Sequence, residues 1–202
     1  MLPFIHLNFA LTPDARFAAS EHRSISCPLD WQRVHGLRQC CDALAVGALT
    51  WCADEPHLSV RADRLGRAPR RQPDRVIFAG HHACRIAPDG RRTFVVGAQP
   101  PVDEAVVFIP VSDHGLQRPL FEIGCQGVRS LLVEGGPVLL GSFLAQRAFD
   151  VVTVYVAGPS ARVAHAAARA VLPELPAMEA ARLGSGTLLT GLSRSRDEPS
   201  GA

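Results

Sequence analysis

The chain has 202 residues, 47% of them apolar and 20% charged, and a formal net charge of +2. That length buries a sizeable core within one domain, and so small a charge argues against generic nucleic-acid binding. Lysine is absent, which excludes Schiff-base and lysine-base catalysis by the protein. Anions must therefore be met by guanidinium, imidazole or backbone groups. The longest apolar run, around Phe143 to Val156, is interrupted by Gln146, Arg147 and Asp150, and no run reaches the length of a membrane span. No basic segment precedes an apolar core at the start of the chain, so a cytoplasmic protein without membrane contact is expected.

In chain order, residues 4–11 read as a strand and 29–41 as a helix with Trp31, Val34, Leu37 and Cys41 on one face. Residues 43–49 form a nearly continuous apolar strand, the kind covered on both sheet faces. The arginine-rich stretch 61–75 carries proline and glycine and reads as an exposed loop. Short strands are expected at 75–79, 93–97 and 105–110, a helix at 116–125, a strand at 130–133 and a helix at 137–146. Strands at 151–157 and 185–189 follow, and the polar end 194–202 reads as a frayed tail after a domain spanning 1–193. The alternation predicts a single α/β domain with a mostly parallel central sheet flanked by helices, and periodicity leaves a Rossmann-like and a dihydrofolate-reductase-like strand order both open. No G-x-G-x-x-G motif follows the first strand, so the standard dinucleotide fingerprint is missing.

The six cysteines, at 27, 40, 41, 52, 84 and 125, form no CxxC pair, and reduced, mostly buried thiols are expected. His81-His82-Ala83-Cys84 invites a metal reading, but three or four ligands at suitable spacing are wanting. A surface turn after a strand is the expectation there, and no metal is assigned.

The most informative segment is Val133-Glu134-Gly135-Gly136-Pro137. It follows the apolar strand 130–133 and opens a helix with proline at its first position. Unshielded backbone N–H groups at such a start suit a phosphate, and the adjacent carboxylate can accept from substrate N–H groups. A second cluster lies upstream. It comprises Asn8-Phe9-Ala10-Leu11-Thr12-Pro13-Asp14-Ala15-Arg16, Ser24-Ile25-Ser26, Val34-His35-Gly36-Leu37-Arg38, the run from Asp42 to Thr50, and Ala53-Asp54-Glu55-Pro56-His57-Leu58-Ser59-Val60-Arg61.

In this order these segments resemble the reductase of riboflavin biosynthesis, over about residues 5 to 160. That family has a dihydrofolate-reductase-like fold and reduces a ribosylaminopyrimidine 5′-phosphate with NADPH. The resemblance implies cofactor contacts at Ala10, Ser26, Thr50, Asp54, Gly136, Pro137, Val138, Leu139, Leu140, Gly141 and Ser142. It implies substrate contacts at Ser24, Arg38, Leu58, Arg61 and Glu134, with Glu134 and Asp54 nearest the chemistry, and a homodimer. Arg38 or Arg61 is suited to grip the 5′-phosphate. The zinc deaminase signature, which many bacterial members carry in a fused domain, is absent, so the reductase part alone is expected.

Each of these residues has a plainer reading. Arg38 near a helix end favours the dipole, Ser24 and Ser26 suit a turn or cap, and Thr50 suits a strand end. The set as a whole carries the functional reading. The chain also departs from the family. Thr12-Pro13-Asp14-Ala15 stands where S-x-D-G is usual, and Arg16 stands where lysine is common. Alanine resists backbone geometry that glycine permits, so a reshaped first loop is expected. A relative reducing another pterin or pyrimidine compound, or an idle nucleotide-binding subunit, would carry much the same sequence.

Overall fold

A computed structural model describes residues 1–17, 24–54, 56–87, 89–101, 106–112 and 115–193. Its elements in chain order are β1 (Phe4–Leu11), α1 (Pro28–Cys40), β2 (Ala43–Gly47), α2 (Ala48–Asp54) and α3 (Ala62–Leu65). Then come β3 (Asp74–Gly80), β4 (Thr93–Gly97), β5 (Val107–Pro110), α4 (Gln117–Cys125), β6 (Ser130–Val133) and α5 (Pro137–Ala145). The chain closes with β7 (Val151–Ala157), α6 (Ala161–Val171), β8 (Met178–Leu183) and β9 (Gly186–Leu192).

The strands form one sheet in the order β5-β4-β3-β2-β6-β1-β7-β9-β8. Pairing is parallel from β5 to β7 and antiparallel at β7–β9 and β8–β9. The mostly parallel α/β sheet expected from the sequence is therefore present. A standard dinucleotide-binding order sets β1 beside β2; here β6 separates them. The carboxyl ends of β2, β3 and β6 consequently lie together, where open α/β sheets bind ligands.

The sheet faces differ in chemistry. Ile5, Leu7, Phe9 and Leu11 of β1 join the main core with Leu120, Ile123, Leu140, Phe143 and Ala164 from α4, α5 and α6. Helix α5 has only 9 residues, too few to be stable alone. Burial of Leu140, Phe143 and Leu144, about 1.5–3 kcal/mol for each side chain, holds it in place.

Toward α1 the sheet presents His6, Asn8 and Thr153. Arg33 of α1 donates to Asn8 (2.9 Å), Thr153 (3.3 Å) and Asp30 (2.8 Å). The apolar face expected for α1 is present in part: Val34 and Cys41 are buried and Leu37 packs on an apolar cluster, but the polar Asp30, His35 and Gln39 are buried as well. Polar groups on β1 and β7 need partners when covered, and α1 supplies them.

Several boundaries also change. The expected strand 43–49 stops at Gly47, and α2 begins directly at Ala48. The stretch 61–75 contains α3, and Arg75 is buried. Residues 161–171 and 178–183 add a helix and a strand that the sequence reading passed over, and the last strand runs to Leu192. Among the cysteines only Cys41 and Cys84 are buried, while Cys40, Cys52 and Cys125 are exposed. Ala105 and the 194–202 tail lie outside the described residues. No described helix is long and apolar enough to cross a membrane.

Candidate active site

At the carboxyl end of β6, Glu134 continues the ladder by donating its N–H to the carbonyl of Ala45 (2.8 Å). Gly135 follows because no side chain fits: a Cβ there would lie 2.8 Å from Leu139 Cδ2. Gly136 caps α5 with φ −74° and ψ 179°, and Pro137 takes the first turn. The first intrahelical bond runs from Leu140 N–H to Gly136 O (3.1 Å). By position, the N–H groups of Val138 and Leu139 precede it and point out of the helix start.

Thr50 and Asp54 stand one turn apart on α2. They meet Gly136, Pro137, Val138, Leu139 and Ser142 around a cavity of about 540 Å³, within the range of small-molecule sites. Across the cavity, His81 and His82 follow β3. The helix start, Thr50 and the turn carrying His81 and His82 thus border one space.

Beside this cavity lies an ion pair. Arg38 Nε donates to both Glu134 oxygens (3.2 and 3.0 Å), and its Nη2 lies 3.0 Å from Oε2. Its Nη1 donates to the carbonyl of Ser59 (3.0 Å). The two side chains are only 18% and 11% exposed, so the pair is shielded and fixed in orientation. Since Arg38 places most of its bonding on Oε2, Oε1 retains acceptor capacity. Arg61 is exposed, 6.0 Å from the centre of the Trp31 ring, and its backbone N–H donates to His35 Nδ1 (3.0 Å). Burial, with Arg38 and Arg61 nearby, pushes His35 down to about 4, which keeps that ring nitrogen an acceptor.

With this geometry established, residues 3–159 match the model of the RibD C-terminal domain. The chain belongs to that family. It is 34% identical over 172 residues to the 2,5-diamino-6-ribosylamino-4(3H)-pyrimidinone 5′-phosphate reductase of Methanothermobacter thermautotrophicus, covering 78% of each chain. The reductase of that name from Archaeoglobus fulgidus is 30% identical over 177 residues, covering 77% of this chain and 80% of that one. Among solved structures, the deaminase/reductase of Thermotoga maritima superposes with a TM-score of 0.71 at 22% identity, over 96% of this chain and 57% of that one. The Rib7 reductase of Saccharomyces cerevisiae gives 0.67 at 19% identity, over 95% of this chain and 90% of that one. These structures share the fold, and this chain spans little more than half the length of the bifunctional one.

Within this RibD C-terminal domain the sequence-derived residues separate into groups. Thr50, Asp54, Gly136, Pro137, Val138, Leu139 and Ser142 line the cavity. Leu140 and Gly141 do not: Leu140 is buried in the core with its N–H bonded, and Gly141 faces Leu172. Ala10 and Ser26 lie away from the cavity lining; Ala10 sits within β1, paired with Tyr155. Arg38 and Glu134 are joined to each other, and Arg61 is absent from the cavity lining. Leu58 is buried at φ 45°. Ser24 accepts from Trp31 Nε1 (2.8 Å) and donates to Ser26 O (3.1 Å).

The first loop is a finding in itself. Ala15 adopts φ 64°, the left-handed geometry that glycine favours. Thr12 holds the turn by accepting the Arg16 N–H on Oγ1 (3.0 Å). The alanine has not abolished the turn. His81 and His82 form the exposed turn after β3 that the sequence predicts, with His82 N–H donating to Ala79 O (2.9 Å); what the sequence reading passed over is that this turn borders the cavity. Their place directly after a parallel strand was the available signal.

Proposed function

We propose that this protein reduces a ribosylaminopyrimidine 5′-phosphate to its ribitylamino counterpart with NADPH, as a cytoplasmic homodimer in riboflavin biosynthesis. The observation that carries the reading is the cavity joining the α5 start to α2, set beside the shielded Glu134–Arg38 pair, in a chain similar to reductases of that name. The residues fit a nicotinamide dinucleotide: the N–H groups of Val138 and Leu139 suit its pyrophosphate, and Thr50 and Ser142 offer hydroxyls. When bound, the cofactor supplies a hydride.

The ribosylamine opens to an imine, hydride adds to the former anomeric carbon, and a proton completes the secondary amine. The protein's task is orientation, with the reacting atoms about 3–3.5 Å apart. Glu134 accepts from pyrimidine N–H groups through the oxygen that Arg38 leaves available. Arg61 meets the 5′-phosphate, and Asp54, at the cavity edge, orients the cofactor's ribose or amide.

His81 and His82 support NADPH over NADH. Among the described residues lining the cavity they are the side chains able to carry positive charge, and a 2′-phosphate needs such partners. Titration by cofactor fluorescence is expected to show NADPH bound about tenfold or more tightly than NADH. The double variant H81Q/H82Q should bring the two toward parity with NADH affinity kept. Equal affinities in the unaltered protein would contradict the assignment.

A further inference from the structure

We propose that Arg91 is a positioning residue for the substrate-binding segment 57–61, acting on its backbone without touching the ligand. The inference rests on the reading above that Leu58 and Arg61 hold the substrate.

That segment is held by side chains instead of sheet pairing. The carbonyls of His57 and Leu58 accept from Arg91 (2.5 and 2.7 Å), and the carbonyl of Ser59 accepts from Arg38 (3.0 Å). Val60 exchanges both backbone bonds with the amide of Gln72 (2.8 and 2.9 Å), and Arg61 N–H donates to His35 (3.0 Å). At the centre, Leu58 has φ 45°, a left-handed geometry that leucine adopts only when its surroundings enforce it. Arg91 grips the carbonyls on both sides of that residue's nitrogen and Cα. It is therefore the group best placed to enforce the turn.

Arg91 is itself anchored. Asp89 Oδ2 accepts from its Nε and Nη2 (2.9 and 2.7 Å), and Oδ1 accepts its backbone N–H (3.1 Å). The same Oδ1 accepts from Arg75 (2.9 Å), whose guanidinium lies 5.6 Å from the centre of the Trp51 ring. Trp51 neighbours Thr50 on α2, and its Nε1 donates to Arg85 O (2.8 Å). One chain of contacts thus ties the substrate segment to the helix bearing the cofactor residues. With its side chain only 14% exposed, Arg91 has little freedom to abandon these bonds for solvent.

A guanidinium serving two carbonyls on a strained turn predicts a specific kinetic signature. Arg91→Met keeps the aliphatic stem and removes the fork. It should raise the KM for the ribosylamine phosphate about tenfold or more, while kcat falls less and NADPH affinity is unchanged. Arg91→Lys should recover part of the loss, because an ammonium can still donate to a carbonyl but lacks the fork. Asp89→Asn, which loosens Arg91 without removing it, should shift the KM in the same direction and serves if the Met variant does not fold. An unchanged KM in the Met or Asn variant would overturn the proposal. So would a parallel loss of substrate affinity, NADPH affinity and melting temperature, the mark of a merely structural role. Absence of turnover in the unaltered protein would instead strike the functional reading, and this proposal with it.

Discussion

Replacing Glu134 by glutamine is expected to lower turnover about a hundredfold or more, equivalent to roughly 2.7 kcal/mol, with NADPH binding retained. Glutamine keeps the size and shape of the side chain, so the effect isolates the charge. In the unaltered protein the carboxylate takes three contacts at 3.0–3.2 Å from Arg38. An amide turns an acceptor into a donor on one side, and a donor then faces the guanidinium or the pyrimidine N–H. Arg38 also loses the partner that orients it toward the Ser59 carbonyl, so the substrate segment loosens at a second point. Steady-state kinetics with the ribosylamine phosphate, beside an NADPH titration, separate these effects. Full activity in this variant would remove Glu134 from the substrate site.

The second large effect is expected at Gly136, where function and stability part company. Its backbone is extended, φ −74° and ψ 179°, so any L-residue fits. A Cβ there meets Thr50 Oγ1 at an ordinary 3.5 Å. Aspartate is a favoured N-cap residue and should stabilise α5 over glycine by a few tenths of a kcal/mol. Its carboxylate would, however, take the helix-start N–H groups for itself and set a negative charge where the cofactor phosphates belong. Gly136→Asp is therefore expected to melt at or above the temperature of the unaltered protein yet bind NADPH about a hundredfold more weakly. Undiminished NADPH binding would show that the phosphates do not rest on this helix start.

The sequence is most legible where burial is two-sided. The expected ends of the strands at 4–11, 93–97, 130–133 and 151–157 coincide with those of β1, β4, β6 and β7, because these segments are dominated by apolar and β-branched residues, with only His6, Asn8 and a few hydroxyls interrupting them. β8 shows the opposite case. Its residues Met178–Leu183 include good helix formers and are largely exposed, and antiparallel pairing with β9 at the sheet edge overrides their propensity. Helix α6 was readable in principle: Ser160 caps it by accepting the Val163 N–H (3.3 Å) ahead of an alanine-rich run.

The candidate site divides the same way. Glu134, Gly136 and Pro137 form a near-contiguous signal, whereas Thr50, which reads as a strand end, and Asp54 are brought one turn apart by α2, which the sequence did not predict. What local sequence could not give is partnership. The pairing of Arg38 with Glu134 spans 96 positions, and the grip of Arg91 on Leu58 spans 33. Such contacts depend on the sheet order that brings β2, β3 and β6 side by side.

The most direct test is to incubate the unaltered protein with NADPH and the ribosylaminopyrimidine 5′-phosphate and follow the loss of NADPH absorbance, with dihydrofolate as a parallel substrate. The expected result is oxidation of NADPH in step with appearance of the ribitylamino product, and none with dihydrofolate. NADPH bound but left unoxidised by the ribosylamine, or oxidised by dihydrofolate instead, would contradict the substrate assigned to the Glu134–Arg38 site.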